Sequence, residues 1–277
     1  MRQGTGAFAG SGGVTLFERW WRPDGPVRAT VILIHGLKDH SARYTHVAES
    51  LAGSGYAVYA FDLRGHGMSE GERYFTRSFD EYVDDTKVFY SRTREREPEN
   101  PIFLFGHSMG GLISCLYAIG QDCGLSGLVL SAPALEPGPG VSPVLIHLAR
   151  ILGRVLPRAP VVKLDVEKIS RGPEVVRAAR EDPLSDHRPS PARLGSEMLR
   201  AMRIVRERAK EIPLPVLVMH GTTDELASPA GSEWLHERVA STDKTLRLYE
   251  GLYHEILNEP EKEQVLTDLL RWLDARV

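Results

Sequence analysis

The 277-residue chain contains only two cysteines, Cys115 and Cys123. If one helix spans both, they lie about 12 Å apart along its axis, at ~1.5 Å per residue, which is too far for a disulfide. We therefore expect reduced thiols, as in proteins of a reducing compartment.

The chain also lacks an excess of basic charge and long apolar segments. Its 34 lysines and arginines and 37 acidic residues give a net charge of −3, so no basic field points to a nucleic-acid partner. No apolar run is long enough to span a bilayer, and Thr5–Gly10 is too short and glycine-rich for a signal peptide. These absences predict a cytoplasmic protein.

What the chain does contain is a regular alternation of short apolar segments with helical patterns. Such alternation predicts an α/β fold with a mostly parallel central sheet flanked by helices. The first two predicted strands are expected to pair around the turn Pro23–Gly25. The predicted strands are Val14–Arg22, Arg28–His35, Val58–Asp62, Ile102–Phe105, Leu128–Ser131, Val216–His220 and Thr245–Tyr249.

Residues 134–211 break this alternation, because they contain several prolines and helical patterns but no clear strand. Apolar strands flank the segment on both sides. We therefore predict an inserted helical cap over 134–211, with the α/β core formed by 1–133 and 212–277. In open α/β sheets, ligands bind at the carboxyl edge that such a cap would cover.

The most informative motif is Gly106–Gly110, a G-x-S-x-G sequence that follows an apolar strand and precedes a helical pattern. In this context the motif predicts a nucleophile elbow, with the hydroxyl of Ser108 exposed on a sharp turn. The serine backbone is then strained, and small residues are needed on either side of it.

A serine nucleophile needs a base and an acid that orients the base. His254 follows the last predicted strand, and Asp224 follows the strand before it, which is the chain order of α/β-hydrolases. Glu225 is the alternative orienting acid. The backbone N–H groups of Met109 and Leu37 are the predicted oxyanion donors, each contributing about 3–4 kcal/mol.

Two competing kinds of site find less support. The sequences that begin at His236 and His254 start like H-E-x-x-H but lack the second histidine, which disfavours a zinc protease. Gly65–Gly71 has the wrong spacing for dinucleotide binding. A group of side chains that could ligate a metal is better explained as part of polar loops at the sheet edge. Neither a metal nor another cofactor is therefore expected. That group is His35, Asp39, His40, Asp62 and His66.

Taken together, four segments resemble the monoacylglycerol lipases of the α/β-hydrolase superfamily, the bacterial members more than the mammalian ones. They are His35–Tyr44, Phe61–Gly71, Gly106–Gly111 and Asp243–His254. The resemblance implies an α/β-hydrolase fold whose helical cap forms a fatty-acyl tunnel. It implies a triad of Ser108, Asp224 and His254, oxyanion donors at Leu37 and Met109, and substrate-binding residues Asp39 and Arg43 near the glycerol end.

Two positions depart from the mammalian pattern. Leu257 stands where those proteins have a second histidine, and Ala227 stands where they have a cysteine. The glycerol pocket is therefore expected to be built differently, and ester hydrolysis is better supported than a monoglyceride preference.

The leading functional hypothesis is hydrolysis of a monoacylglycerol ester to glycerol and free fatty acid, through an acyl-enzyme on Ser108. A lysophospholipase or a broad carboxylesterase would use the same residues. A non-catalytic receptor for a small ligand on this fold is a third hypothesis. The sequence does not determine the oligomeric state.

The cap also carries a candidate membrane-contacting segment. Val144, Leu148, Ile151 and Val155 recur at helical spacing, and three arginines lie nearby. A basic amphipathic segment of this kind can lie in a membrane interface. The alternative is that the apolar stripe only covers the active site. The arginines are Arg150, Arg154 and Arg158.

Overall fold

The computed structural model describes residues 1–119, 124–186 and 188–277. Eight strands form one sheet. They are β1 (Arg2–Ala9), β2 (Thr15–Arg22), β3 (Ala29–Ile34), β4 (Tyr56–Phe61), β5 (Ile102–His107), β6 (Gly127–Ser131), β9 (Val216–Gly221) and β10 (Lys244–Tyr249). Their order across the sheet is β1-β2-β4-β3-β5-β6-β9-β10. Strands β3 to β6, β9 and β10 are parallel, whereas β1 and β2 join antiparallel.

Helices cover both faces of this sheet, and further helices lie in the segment between β6 and β9. The helices are α1 (Thr45–Gly53), α2 (Asp80–Arg96), α3 (Met109–Ala118), α4 (Pro143–Val155), α5 (Pro173–Glu181), α6 (Ala192–Arg208), α7 (Pro229–Arg238) and α8 (Lys262–Asp274). Short 3-10 turns occur at Ser11–Gly13, Ser41–Tyr44, Val166–Lys168 and Ala209–Glu211. The predicted α/β class with a mostly parallel sheet is confirmed. Within the described residues, no helix combines the length and apolar character needed to cross a bilayer.

Strand β5 shows why both faces are covered. Ile102 and Leu104 pack into the apolar cluster that contains α2 and α3. Phe103 and Phe105 pack into the opposite cluster, with α1 and α8. Because side chains alternate across a strand, an uninterrupted apolar run requires helices on both faces.

The predicted pairing of the first two strands was wrong. Strand β2 pairs with β1 and β4, and β4 lies between β2 and β3. All six residues of β3 are buried, whereas β2 alternates between buried and partly exposed residues. A strand buried on both faces takes an interior place with parallel neighbours, which a hairpin with β2 would not provide.

Strand β1 was not predicted, because its glycines resemble those of a loop. Gly4 pairs with Trp20, and a Cβ atom on Gly4 would lie 2.6 Å from the indole ring. The glycine is therefore what lets β1 approach β2 at this position.

The chain leaves the sheet after β6 and returns at β9, and these two strands are direct parallel neighbours. Between them lie α4, α5 and α6, and also two short paired strands, β7 (Pro160–Val162) and β8 (Ser190–Pro191). The expectation of a segment without clear strands was wrong at this point. The division at 134 and 211 stays a prediction. Cys123 lies outside the described residues, and α3 ends before it, at Ala118.

Candidate active site

Ser108 occupies the turn between β5 and α3, with φ of 52° and ψ of −117°. This left-handed backbone is strained for a residue with a side chain. Two glycines make the turn possible. A Cβ atom on Gly106 would lie 2.4 Å from the carbonyl oxygen of Gly110, and one on Gly110 would lie 2.2 Å from that of Ile34.

The structure brings Ser108, His254 and Asp224 into one hydrogen-bonded chain. The Oγ of Ser108 lies 2.8 Å from Nε2 of His254, and Nδ1 of His254 lies 2.6 Å from Oδ2 of Asp224. All three side chains are buried. In this geometry the serine hydroxyl donates to Nε2, and the imidazole N–H at Nδ1 donates to the carboxylate.

The electrostatics of the two titrating partners are complementary. Burial alone would raise the pKa of Asp224, but the charge of His254 and the hydrogen bonds from His220 and His254 hold it well below its usual range. Burial lowers the pKa of His254, but the charge and hydrogen bond of Asp224, with the nearby charges of Glu255 and Asp39, together more than offset burial, so the net shift is upward. Asp224 therefore stays ionised and favours a protonated His254.

The Asp224 carboxylate has four hydrogen-bond donors. Its Oδ1 accepts from the backbone N–H groups of Leu226 at 2.8 Å and Ala227 at 3.0 Å. The alternative acid Glu225 is exposed and pairs with Lys168 at 2.5 Å. Asp224 rather than Glu225 is therefore the acid that contacts His254.

The two predicted oxyanion donors come from segments that flank Ser108. Met109 is the first residue of α3, and Leu37 lines the cavity beside Ser108. Gly36 brings the Leu37 loop close, since a Cβ atom there would lie 3.2 Å from Cβ of Ser108. The segment between β6 and β9 contributes apolar side chains to the same cavity, at Leu164, Val166, Ile169 and Ala179.

Asp39 and Arg43 line this cavity too, but their polar atoms are engaged within the protein. Arg43 binds both carboxylate oxygens of Glu255, at 2.8 and 2.7 Å, and Asp39 at 3.3 Å. The hydroxyl of Tyr44 donates to Asp39 at 2.7 Å. Burial raises the pKa of Asp39, but the charges of Arg43 and His35 and the hydrogen bond from Tyr44 together outweigh burial, so the net shift is downward.

Sequence reasoning missed Glu255 and His220 as parts of this site. Glu255 directly follows His254, and His220 lies 2.9 Å from Oδ2 of Asp224 at the end of β9. The signal available for His220 was its position four residues before Asp224, at the carboxyl end of a predicted strand.

The side chains considered in the sequence as possible metal ligands form hydrogen bonds that hold the loops. His35 bonds the carbonyl oxygen of Gly36 and the N–H of Leu63, while Asp62 accepts from the backbone and hydroxyl of Ser41. Among the residues described, no three histidine, cysteine, aspartate or glutamate side chains are grouped to hold a metal ion.

The fold and the serine, histidine and aspartate geometry define a serine hydrolase of the α/β-hydrolase class. A family model described as "Serine aminopeptidase, S33" matches residues 25–261. The monoacylglycerol lipase of Mycolicibacterium smegmatis (strain ATCC 700084 / mc(2)155) is 42% identical over 267 residues, covering 96% of this chain and 95% of that one. The chain belongs to the monoacylglycerol lipase family within these hydrolases.

Two solved structures agree with this assignment. The Paleococcus ferrophilus monoacylglycerol lipase superposes with a TM-score of 0.85 at 36% identity, covering 95% of this chain and 99% of that one. A soluble variant of the Saccharomyces cerevisiae monoglyceride lipase, in complex with a substrate analogue, gives a TM-score of 0.91 at 25% identity, covering 100% of this chain and 96% of that one.

Proposed function

We propose that this protein hydrolyses the ester bond of a monoacylglycerol, releasing glycerol and a free fatty acid. The observation that carries the proposal is the buried chain of hydrogen bonds from Ser108 through His254 to Asp224. The monoacylglycerol lipases among its relatives support the choice of a monoacylglycerol as substrate. The segment 134–211 acts as a cap whose apolar side chains meet the acyl group.

In the proposed reaction, Oγ of Ser108 attacks the ester carbonyl while Nε2 of His254 takes the hydroxyl proton. The backbone N–H groups of Leu37 and Met109 bind the tetrahedral oxygen, each contributing about 3–4 kcal/mol. Collapse of this intermediate breaks the ester C–O bond, and His254 donates its proton to the departing glycerol oxygen. Water then attacks the acyl-enzyme with His254 again as base, which releases the fatty acid and restores Ser108.

Asp39 and Arg43 would shape the glycerol end of the cavity. Because Glu255 binds both arms of the Arg43 guanidinium, this cation has little unpaired charge to offer a substrate. We therefore assign this group to the placement of the oxyanion loop and the shape of the pocket, with glycerol held by neutral hydrogen bonds.

The first experiment is a hydrolysis panel on wild type and Ser108→Ala. It contains monoacylglycerols of several chain lengths, a diacylglycerol, a lysophospholipid and a p-nitrophenyl ester. We expect the highest kcat/KM on a monoacylglycerol and a loss of several orders of magnitude in Ser108→Ala. An active-serine phosphonate should label wild type only.

Ser91→Ala, on the exposed face of α2, is the matched control and should behave as wild type. A faster lysophospholipid reaction would favour the phospholipase alternative. Binding of a monoacylglycerol without turnover by wild type would favour the receptor alternative, and labelling of Ser108→Ala would overturn the choice of nucleophile.

We further propose that α4 contacts the lipid surface from which the substrate is taken. Val144 is 77% exposed, Leu148 50%, Ile151 46% and Val155 70%, so this apolar stripe is not covered within the described structure. Arg150 and Arg154 are exposed on the same helix. Arg158 pairs with Glu72 at 2.9 Å, which leaves it less available to an anionic lipid. Exposed apolar stripes flanked by cations suit a membrane interface.

A further inference from the structure

A second histidine contacts the same carboxylate oxygen of Asp224 that His254 contacts. His220 lies near the end of β9 with its side chain fully buried, and its Nε2 is 2.9 Å from Oδ2 of Asp224. On the other side of the ring, Nδ1 is 2.7 Å from Oγ of Ser232 on α7. The hydrogen-bonded chain that begins at Ser108 therefore continues through Asp224 to His220 and Ser232.

The neighbours of His220 determine where its ring hydrogen lies. Nε2 faces the carboxylate of Asp224 and, at 3.2 Å, the carbonyl oxygen of Ala227. Both of these groups only accept hydrogen bonds, so Nε2 carries a hydrogen in either protonation state of the ring. His220 is therefore a donor to Asp224, and the Ser232 hydroxyl fixes the ring from its other nitrogen.

The backbone of β9 places this ring against the loop that carries His254. Gly221 follows His220, and a Cβ atom there would lie 2.3 Å from the carbonyl oxygen of Leu252 and 2.4 Å from that of Tyr253. The end of β9 is thus packed on the residues just before His254. Because β9 holds the backbone of His220 in place, the hydrogen bond from His220 ties Asp224 to the strand.

We propose that His220 is a positioning residue for hydrolysis, one that holds Oδ2 of Asp224 in line with Nδ1 of His254 while Ser232 holds His220. Two backbone N–H groups already anchor Oδ1, and Oδ2 depends on the two imidazoles. A hydrogen bond from His220 also draws charge from Oδ2. This keeps the shared hydrogen on Nδ1 when His254 becomes charged during the reaction. The inference rests on the proposed triad.

The test compares His220→Leu, which removes the donor, with His220→Gln, whose amide nitrogen can reach the place of Nε2. For His220→Leu we expect kcat on a short soluble ester to fall about 10- to 100-fold, as for other residues that orient a functional side chain, with KM unchanged. His220→Gln should recover most of this loss. His236→Leu on α7, a histidine outside the Asp224 hydrogen bonds, is the matched control.

Two readouts separate positioning from packing. The far-downfield proton resonance of the His254–Asp224 hydrogen bond should be present in wild type and His220→Gln and shifted or lost in His220→Leu. The rate at which a phosphonate labels Ser108 should fall in parallel with kcat. An unchanged kcat and resonance in His220→Leu, or a His220→Gln variant as slow as His220→Leu, would overturn the proposal.

If His220→Leu does not fold, the proposal is tested by the kcat values of Ser232→Ala and His220→Gln. Ser232→Ala should lower kcat by a smaller factor without changing KM, and an unchanged kcat there would count against the proposal. Asp224→Asn is measured in parallel and should lose about 10⁴-fold in kcat. Retained activity in Asp224→Asn would reject the triad itself. Loss there without loss in the His220 and Ser232 variants would reject only this inference.

Discussion

At the scale of single residues, the site depends on a few buried groups whose charges are balanced locally. Two imidazoles hold the pKa of Asp224 low, two backbone N–H groups donate to its other oxygen, and His254 is in turn favoured in its protonated form. His107, the residue before Ser108, lies with its ring centroid 4.9 Å from that of His254. Burial and the charge of His254 lower the pKa of His107 to about 3, so His107 does not titrate near neutral pH.

These shifts predict the pH dependence of the reaction. His254 acts as base only when it is neutral, so kcat/KM should rise with pH through the pKa of His254 in the free enzyme. Because that pKa is raised, the midpoint should lie above the ordinary histidine value of about 6.5. The measurement is a rate profile on a short soluble ester from pH 5 to 9. A midpoint below the ordinary value, or two titrations of similar size, would contradict the assignment.

At the scale of elements, close backbone approaches decide whether the serine turn can form. Helix α3 packs on β3 and β5 through glycine, because Gly110 lies against the carbonyl oxygens of Ile34 and His35. Both oxygens belong to the backbone, so the end of β3 and the residue after it must move if a side chain is added at Gly110. The same contact keeps Gly36 and its loop next to Ser108.

Two glycine-to-alanine substitutions test this contact. Gly110→Ala places a Cβ atom 2.2 Å from the oxygen of Ile34, and we expect a loss of about 3 kcal/mol or more in the free energy of unfolding. Gly53→Ala, at the end of α1 with no atom within 4 Å of its Cβ position, should be neutral or stabilise by up to about 1 kcal/mol. Urea denaturation measures both. Equal stability of the two variants would mean that the α3 approach tolerates a side chain.

At the scale of the whole molecule, the sheet and the segment between β6 and β9 differ in how fully their apolar side chains are buried. The sheet is enclosed by two large apolar clusters. The smaller cluster of Ile169, Val176 and Ala179 lies within 134–211, where α4 also leaves its apolar stripe exposed. The hydrogen-bonded residues Ser108, His254 and Asp224 and the proposed lipid-contacting surface therefore belong to separate segments of the polypeptide. Each can be altered without changing the other.

Charge reversal on α4 tests the lipid contact. Arg150→Glu combined with Arg154→Glu should reduce binding to anionic vesicles and turnover of a long-chain monoacylglycerol. The reason is that cations near the stripe are replaced by negative charges, which anionic lipid headgroups repel. Hydrolysis of a short soluble ester should stay unchanged. The control is the same charge change at Arg247 and Arg271, on β10 and α8. Equal vesicle binding by the two double variants would restrict the role of α4 to covering the site.

Features that depend on residues close together in the chain were predictable from the amino-acid sequence. Gly106, Ser108 and Gly110 lie within one turn, so the elbow is readable from its residue types, and the strand-end positions of Asp224 and His254 follow from local patterns. The class of fold was predictable for the same reason, because apolar runs of strand length alternate with helical ones.

Contacts between residues far apart in the chain were not predictable and became visible only in the folded protein. The pairing of β2 with β4 rather than β3, the bonding of Arg43 to Glu255 across 212 positions, and the meeting of His220 with His254 on Asp224 each join separate segments. Local periodicity holds no information about which strand lies next to another or which loops meet. Packing of the complete sheet and of its helices settles those neighbours, because buried apolar faces and buried polar groups must all find partners at once.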